Sequence, residues 1–377
     1  MIKLRSVWLL SIFGFIALTA ALWLGCGEGD ETPVSTPQQQ VVLDRSNTQI
    51  AAAMDVQDRH TASLMTNSNV VGTATGVMDD GTPAILVFTK EEIAPSLLAK
   101  GTVIPSELEG VPVVVQVTGE LKAMKAGGGV SHTAKQTPPI QLGTSGGWRY
   151  DLANGYCCGG TLGALIQKGG NQYVLSNYHV LWGDIVLGGN SRVATAGDPV
   201  IQPGLIDVGC IATSAQDVAT LADAGSLPAA NVDAGYALVI PEMVSSTGSI
   251  LEVGTISATT ITPSVGQLVK KSGRTTGLTR SSVTGINGTV SITYGNECAG
   301  GTAFTKTFTG QVIIANSRCR FQNSGDSGSL LVQDITTNPK AVGLCYAGSS
   351  ICSQSAIAIA NPIDAVLAWA GATMVGQ

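Results

Sequence analysis

The chain has 377 residues, of which 12% are charged and 47 are glycine, and its formal net charge is −6. Few charges and many glycines favour turn-rich β architecture over helical bundles, and an acidic chain without a basic cluster argues against nucleic acid as a partner. Eight cysteines and three histidines form no CxxC pair and no His/Cys cluster, so we expect neither a metal nor a cofactor.

The first 26 residues have the composition of an export signal. Lys3 and Arg5 precede an apolar run over residues 7–25, long enough for a signal peptide or a membrane anchor. The run ends at Gly25-Cys26, which resembles a bacterial lipobox, although Trp23 stands where an aliphatic residue is usual. We expect an exported protein that is either secreted or tethered to a membrane through this segment, in the periplasm or at the cell surface. Lipidation of Cys26 stays open, and disulfides are expected with no assigned pairing.

Three segments separate this signal from the main domain. Residues 27–40, rich in Pro and Gln, predict a solvated tether. Residues 41–125 combine a helix-compatible stretch with apolar β runs and turns, which predicts a small α+β accessory domain that contacts the main domain as propiece, inhibitor or docking module. Residues 126–142, rich in Gly and Pro, predict a linker.

Residues 143–377 contain many short apolar runs separated by turn residues, which indicates an all-β barrel or sandwich. Near the end, Asn361-Pro362 precedes an apolar periodicity through Trp369. Asn is a good N-cap and Pro suits the first turn, so the pattern predicts a C-terminal helix.

Ser327 lies among small residues, with Gly325 and Asp326 before it and Gly328 and Ser329 after it. A nucleophilic serine needs such neighbours, because a substrate carbonyl must approach closely and the turn must aim backbone N–H groups at the developing oxyanion. A Gly/Ser-rich hairpin turn is the alternative interpretation of this stretch alone.

Two further residues complete a candidate triad. His179 directly follows an apolar strand. Asp233 lies at the start of another apolar strand and has small neighbours, which predicts that it is buried, and a buried carboxylate needs a partner. Asp207 is the main competitor for the acid. The chain order His179, Asp233, Ser327 excludes the α/β-hydrolase order, in which histidine comes last.

These stretches resemble the chymotrypsin-fold (trypsin-like) serine proteases of bacteria. The likeness covers roughly residues 143–370 and includes the segments 176–179, 271–279, 323–332 and 343–349. It implies two antiparallel β-barrels with the triad in the cleft between them, following the small α+β domain and ending in the C-terminal helix.

The resemblance also implies the chemistry: a serine endopeptidase that cleaves a polypeptide substrate through an acyl-enzyme. Ser327 would attack, His179 would shuttle the proton and Asp233 would orient the imidazole, while the N–H groups of Gly325 and Ser327 would form the oxyanion hole. Gly343, Tyr346 and Gly348 would lie along the substrate backbone. Phe321 stands at the pocket position where trypsin itself carries an acid, and this difference favours substrates with apolar side chains. A non-catalytic protease-like binding module and an esterase using the same triad are the alternatives.

Overall fold

The computed structural model describes residues 43–93, 104–123, 131–153, 156–182, 193–222, 225–294 and 304–377. The predicted signal or anchor at 1–26, Cys26 and the tether at 27–40 lie outside these residues. Among the described ranges, no helix is both long and apolar enough to cross a membrane.

Helices are few in the described part of the chain. They are α1 (Thr48–Leu64), α2 (Tyr178–Leu181) and α3 (Ile363–Ala370). The strands are β1 (Val70–Val77), β2 (Pro83–Thr89), β3 (Glu107–Leu108), β4 (Val111–Val117), β5 (Leu121–Ala123), β6 (Thr144–Trp148), β7 (Leu152–Ala153), β8 (Tyr156–Cys157), β9 (Gly160–Leu162), β10 (Ala164–Lys168), β11 (Asn171–Ser176), β12 (Pro199–Gln202), β13 (Gln216–Leu221), β14 (Gly235–Val239), β15 (Leu268–Gly273), β16 (Gly277–Tyr294), β17 (Phe304–Ala315), β18 (Leu330–Gln333), β19 (Ala341–Ser349), β20 (Ile357–Pro362) and β21 (Thr373–Met374).

Two antiparallel sheets form the main body. The first has the strand order β21-β10-β11-β14-β13-β12-β6-β9. In the second, β15-β18-β19-β20-β17-β16 follow one another, and β15 also pairs with β16, so these six strands close into a ring. The inward side chains of both sheets are mainly Val, Ile, Leu and Ala, which suit a pleated buried surface. The predicted chymotrypsin-like, mainly β fold class is confirmed.

The N-terminal segment differs from the expected separate domain, because its strands extend the second sheet. β1 pairs with β16, β2 with β1, and β4 with β2. At this seam Gly72 lies opposite Val290, and a Cβ at Gly72 would come within 2.8 Å of the Thr289 carbonyl oxygen. Residues 42–377 accordingly form one compact unit.

Helix α1 packs its apolar face onto the closed ring. Ile50 and Met54 share a buried cluster with Val269, Val283 and other ring residues. The buried amide of Gln57 donates to the Asn287 carbonyl and to Thr73 Oγ1, and so joins helix, β1 and β16. Burial of apolar area on this face stabilises both partners at once.

The described part of the predicted linker is also packed. Ile140 and Leu142 are fully buried and form single bridges to Val244 and Ile250. His132 is buried too: its Nδ1 donates to the Gly143 carbonyl, and its Nε2 lies 2.6 Å from the Glu252 carboxylate. Glycine and proline content indicated turns here, but apolar residues between those turns anchor the segment.

The disulfides join segments that lie outside the two main sheets. Cys157 bonds Cys210, Cys319 bonds Cys352, and Cys158 is disulfide-bonded as well. Cys345, inside β19, is the free cysteine of the described residues, and burial raises its pKa to about 12. A buried neutral thiol behaves as a small apolar side chain.

We predict that Ile50→Ala lowers the free energy of unfolding of the whole chain by about 2–5 kcal/mol, the range for large-to-small changes in cores. Urea unfolding followed by tryptophan fluorescence should show one transition, shifted to lower urea. Gln49→Ala, on the exposed side of the same turn, is the control. Two separate transitions, of which only one moves, would mean that the N-terminal segment folds by itself.

Candidate active site

His179 lies just after the C-terminal end of β11, an inner strand of the first sheet. Strand β11 ends at Ser176 and α2 begins at Tyr178, so the histidine is carried on a single helical turn directly after a buried strand. Its side chain is buried, and Nδ1 donates to Asp233 Oδ2 over 2.6 Å. The carboxylate therefore fixes the tautomer of the ring with Nε2 as the remaining nitrogen.

Asp233 is fully buried and collects donors from both sheets. Oδ1 accepts from the Tyr178 backbone N–H at 2.7 Å, and Oδ2 accepts from His179 and from Tyr294 Oη at 2.8 Å. Burial, reinforced by the charge of Asp233, raises the pKa of Tyr294 well above its ordinary value, so the phenol keeps its proton and donates.

The backbone of Asp233 is held as well. The Asn361 side chain accepts from its N–H at 3.1 Å and donates to its carbonyl at 3.2 Å, and Asn177 donates to the same carbonyl. Asn361 was expected to cap the C-terminal helix. Helix α3 instead begins at Ile363, so the cap position falls on Pro362, whose side chain has no polar atom, and Asn361 remains in β20 with its amide bound to Asp233.

Ser327 lies in a tight loop that glycines make possible. Gly325 and Gly328 have φ of 97° and 94°, which is the left-handed region. A Cβ at Gly328 would come within 2.2 Å of Ser176 Oγ. The Thr161 N–H donates to the Ser327 carbonyl at 2.8 Å, and Thr161 Oγ1 donates to the Gly325 carbonyl. Strand β9 therefore holds this loop beside β11, the strand that leads to His179.

A buried carboxylate one residue earlier locks the loop from the other side. Asp326 accepts from the N–H groups of Thr275 and Thr276, from Thr276 Oγ1 and from the Asn323 N–H, and it lies 3.3 Å from Lys271 Nζ. Both charged side chains are fully buried, and desolvation lowers the pKa of Lys271. The segment 271–279 is part of the family resemblance, but its residue pattern did not predict this ion pair.

Asp207, the competing candidate for the acid, is engaged elsewhere. Its carboxylate pairs with the Arg274 guanidinium and accepts from Ser145 Oγ at 2.6 Å. The other histidines contact glutamates: His60 on α1 contacts Glu109, and His132 contacts Glu252. Of the candidate acids, the structure brings Asp233 to His179 and Asp207 to an arginine.

The predicted substrate-binding residues fall in different places. Tyr346 and Gly348 lie toward the end of β19, and the Tyr346 carbonyl accepts from Ser327 Oγ at 3.1 Å. Gly343 lies between β18 and β20, paired with Leu331 and Pro362. Phe321 is buried in the apolar cluster of the closed ring of the second sheet.

The reactive atoms are closed off. Ser327 is fully buried, His179 is 5% exposed, and His179 Nε2 is a buried nitrogen with no hydrogen-bond partner among the described residues. A hydrogen bond from Ser327 Oγ to Nε2 is therefore not made in this conformation. Catalytic hydrogen bonds of enzymes without substrate are often long or unformed.

Several known proteins are similar to parts of this chain. Residues 212–372, less than half of the chain, match the family model described as the Nal1 C-terminal domain. No curated protein sequence matches the chain.

Among solved structures, a glutamic acid specific serine protease, described as using a histidine triad in substrate binding, has 19% identity, covers 62% of this chain and 100% of its own, and gives a TM-score of 0.43. Thermobifida fusca protease A has 19% identity, coverages of 63% and 99%, and a TM-score of 0.40. An α-lytic protease homolog has 17% identity, coverages of 59% and 98%, and a TM-score of 0.36.

We predict that Asp326→Asn costs about 3–5 kcal/mol of unfolding free energy, because it leaves the Lys271 ammonium buried without an anion. Lys271→Met should cost less, since Asp326 keeps its four hydrogen-bond donors. The loss in Asp326→Asn should shrink as pH rises toward 10.5, the ordinary lysine pKa, because the neutral amine is easier to bury. Chemical denaturation between pH 6 and 10 measures both; equal, pH-independent losses would contradict the assignment.

Proposed function

We propose that this chain is a serine endopeptidase that uses Ser327, His179 and Asp233 as a triad. The observation that carries the proposal is the 2.6 Å hydrogen bond from His179 Nδ1 to the buried Asp233 carboxylate, with the glycine-framed Ser327 loop held against β9 beside it. A buried carboxylate stabilises the imidazolium that forms when histidine accepts a proton.

In the reaction, Ser327 Oγ turns from the Tyr346 carbonyl, passes its proton to His179 Nε2 and attacks the substrate carbonyl carbon. The N–H groups of Gly325 and Ser327 are the proposed donors to the oxyanion. Collapse of the tetrahedral intermediate breaks the C–N bond, and Nε2 returns the proton to the leaving amine. Water then attacks the acyl-enzyme with the same base and regenerates Ser327.

A second candidate is a non-catalytic binding module with a protease-like fold. The observation that favours it is the complete burial of Ser327 together with a His179 Nε2 that has no hydrogen-bond partner within the described part of the chain. An ester hydrolase is a third reading, since the same triad cleaves esters. Amide and ester substrates assayed in parallel separate the endopeptidase from the esterase, and covalent labelling separates both from a binding module.

Export is part of the proposal. Disulfides persist in oxidising compartments, and two bonded pairs join residues 53 and 33 positions apart. We expect the mature protein outside the cytoplasm, tethered through its N-terminal segment or secreted.

We predict that Ser327→Ala abolishes hydrolysis and labelling by a fluorophosphonate probe while the protein stays folded. Ser324→Ala, in the same loop, should retain both and serves as the control. Peptide mapping of the labelled protein should place the adduct on Ser327. Wild-type protein that takes no probe and cleaves neither peptides nor esters would favour the binding module.

Asp233→Asn should lower turnover by about 10⁴, the loss described for the chymotrypsin-type triad when the imidazole takes the wrong tautomer. Circular dichroism checks that the fold persists. A loss of only a few-fold would remove Asp233 from the orienting role, even if Ser327 still reacts.

Tyr294 is a positioning residue in this proposal, because it acts on Asp233 rather than on substrate. Tyr294→Phe should lower kcat/KM at least about tenfold, since hydrogen bonds to charged groups contribute about 1.5–3 kcal/mol. Because Tyr294 contacts Asp233 and not the substrate, the loss should fall on kcat while KM stays unchanged. A raised KM together with a lower free energy of unfolding would indicate a packing role only.

A further inference from the structure

A short segment of the N-terminal region lies on the strand next to the candidate nucleophile. β5 pairs antiparallel with the end of β19, with Ala123 opposite Ala347, Lys122 opposite Gly348 and Leu121 opposite Ser349. The neighbouring residue of β19, Tyr346, is the one whose carbonyl accepts from Ser327 Oγ. β5 therefore runs along β19 toward the nucleophile.

An extended peptide adds to a sheet by pairing with an unpaired strand edge, where main-chain hydrogen bonds supply the affinity. Residues 347–349 of β19 pair with β20 on one side, at Ala347 and Gly348, and with β5 on the other. The edge nearest Ser327 is thus already filled by this chain's own backbone, in the antiparallel direction and in an extended conformation.

The occupant is fastened at its start. Leu121 is buried in the main core, the Glu120 carbonyl accepts from the Ser350 N–H, and the N–H groups of Thr118 and Gly119 donate to the Thr89 carbonyl. By contrast, the Lys122 side chain is half exposed and its contact with Glu120 is a surface ion pair, which contributes little. Beyond the buried Leu121, β5 is therefore held mainly by backbone pairing, with β19 and, at Lys122, with Thr293 of β16.

We propose that β5 is an autoinhibitory occupant of the edge of β19 at residues 347–349, where the resemblance places the substrate backbone, and that it blocks this edge to an extended peptide. The proposal rests on the proposed function and adds that a competing peptide must first displace β5. A peptide can bind only to the fraction of molecules whose β19 edge is free, and a small fraction lowers its apparent affinity. The full chain should therefore react with extended peptides more slowly than its triad allows. The burial of Ser327 and His179 agrees with this closed arrangement.

The test compares Lys122→Pro with Lys122→Ala. Proline removes a backbone N–H and disfavours strand pairing, whereas alanine removes only the exposed side chain. Each protein is treated with a small alkyl fluorophosphonate, which needs only Ser327, and with acetylated tripeptidyl phosphonates that must lie along β19. Thermal unfolding checks that both variants fold, and Lys122→Gly is the milder replacement if the proline variant does not.

We expect Lys122→Pro to react with the tripeptidyl phosphonates at least tenfold faster than wild type and Lys122→Ala, with a smaller gain for the small probe. A synthetic peptide of residues 118–123, added in excess, should slow the reaction of Lys122→Pro. Equal tripeptide rates in wild type and Lys122→Pro would overturn the inference while leaving the proposed function intact. Absence of labelling by either reagent in every folded variant would overturn the proposed function, and the inference with it.

Discussion

A buried carboxylate needs partners, and Asp233 obtains them from both sheets. His179 and the Tyr178 N–H come from the first sheet, whereas Tyr294 and Asn361 come from β16 and the end of β20 in the second. An unpaired charge in this position would cost several kcal/mol. The two sheets must therefore meet in one relative position for Asp233 to be satisfied, and that position also sets where His179 lies.

The Ser327 loop obeys a second constraint of the same kind. Asp326 points away from the candidate nucleophile into donors of the segment 275–276 and toward Lys271, while Thr161 of β9 holds the loop backbone from the other side. The loop is consequently fixed by contacts that the nucleophile itself does not make. Such separation allows a reacting side chain to turn while its backbone stays in place.

Regulation would then fall to the elements that close the site. Strand β5 follows β1, β2 and β4, which extend the second sheet from β16. It pairs with both β16 and β19, so the segment that covers the edge of β19 also belongs to this sheet. The proposed release of β5 would be a local event, since β5 has three residue pairs with β19 and one with β16. Segments near active sites often have low local stability for this reason.

The sequence by itself determined the β class, the small residues of the Ser327 loop and the position of His179 directly after an apolar strand. These features depend on local patterns: alternation, turn residues and the small side chains that a tight loop requires. Only the tertiary structure brought Asp233 to His179 and Asp207 to Arg274. It placed Phe321 in the core and added the contacts of Tyr294, Asn361 and Lys271. It also joined strands of residues 70–89 and 107–123 to the second sheet, where composition indicated a separate domain. Contacts between residues 61 or 128 positions apart leave no periodic trace in the chain, because strand patterns show which face is buried but not which strand is the neighbour.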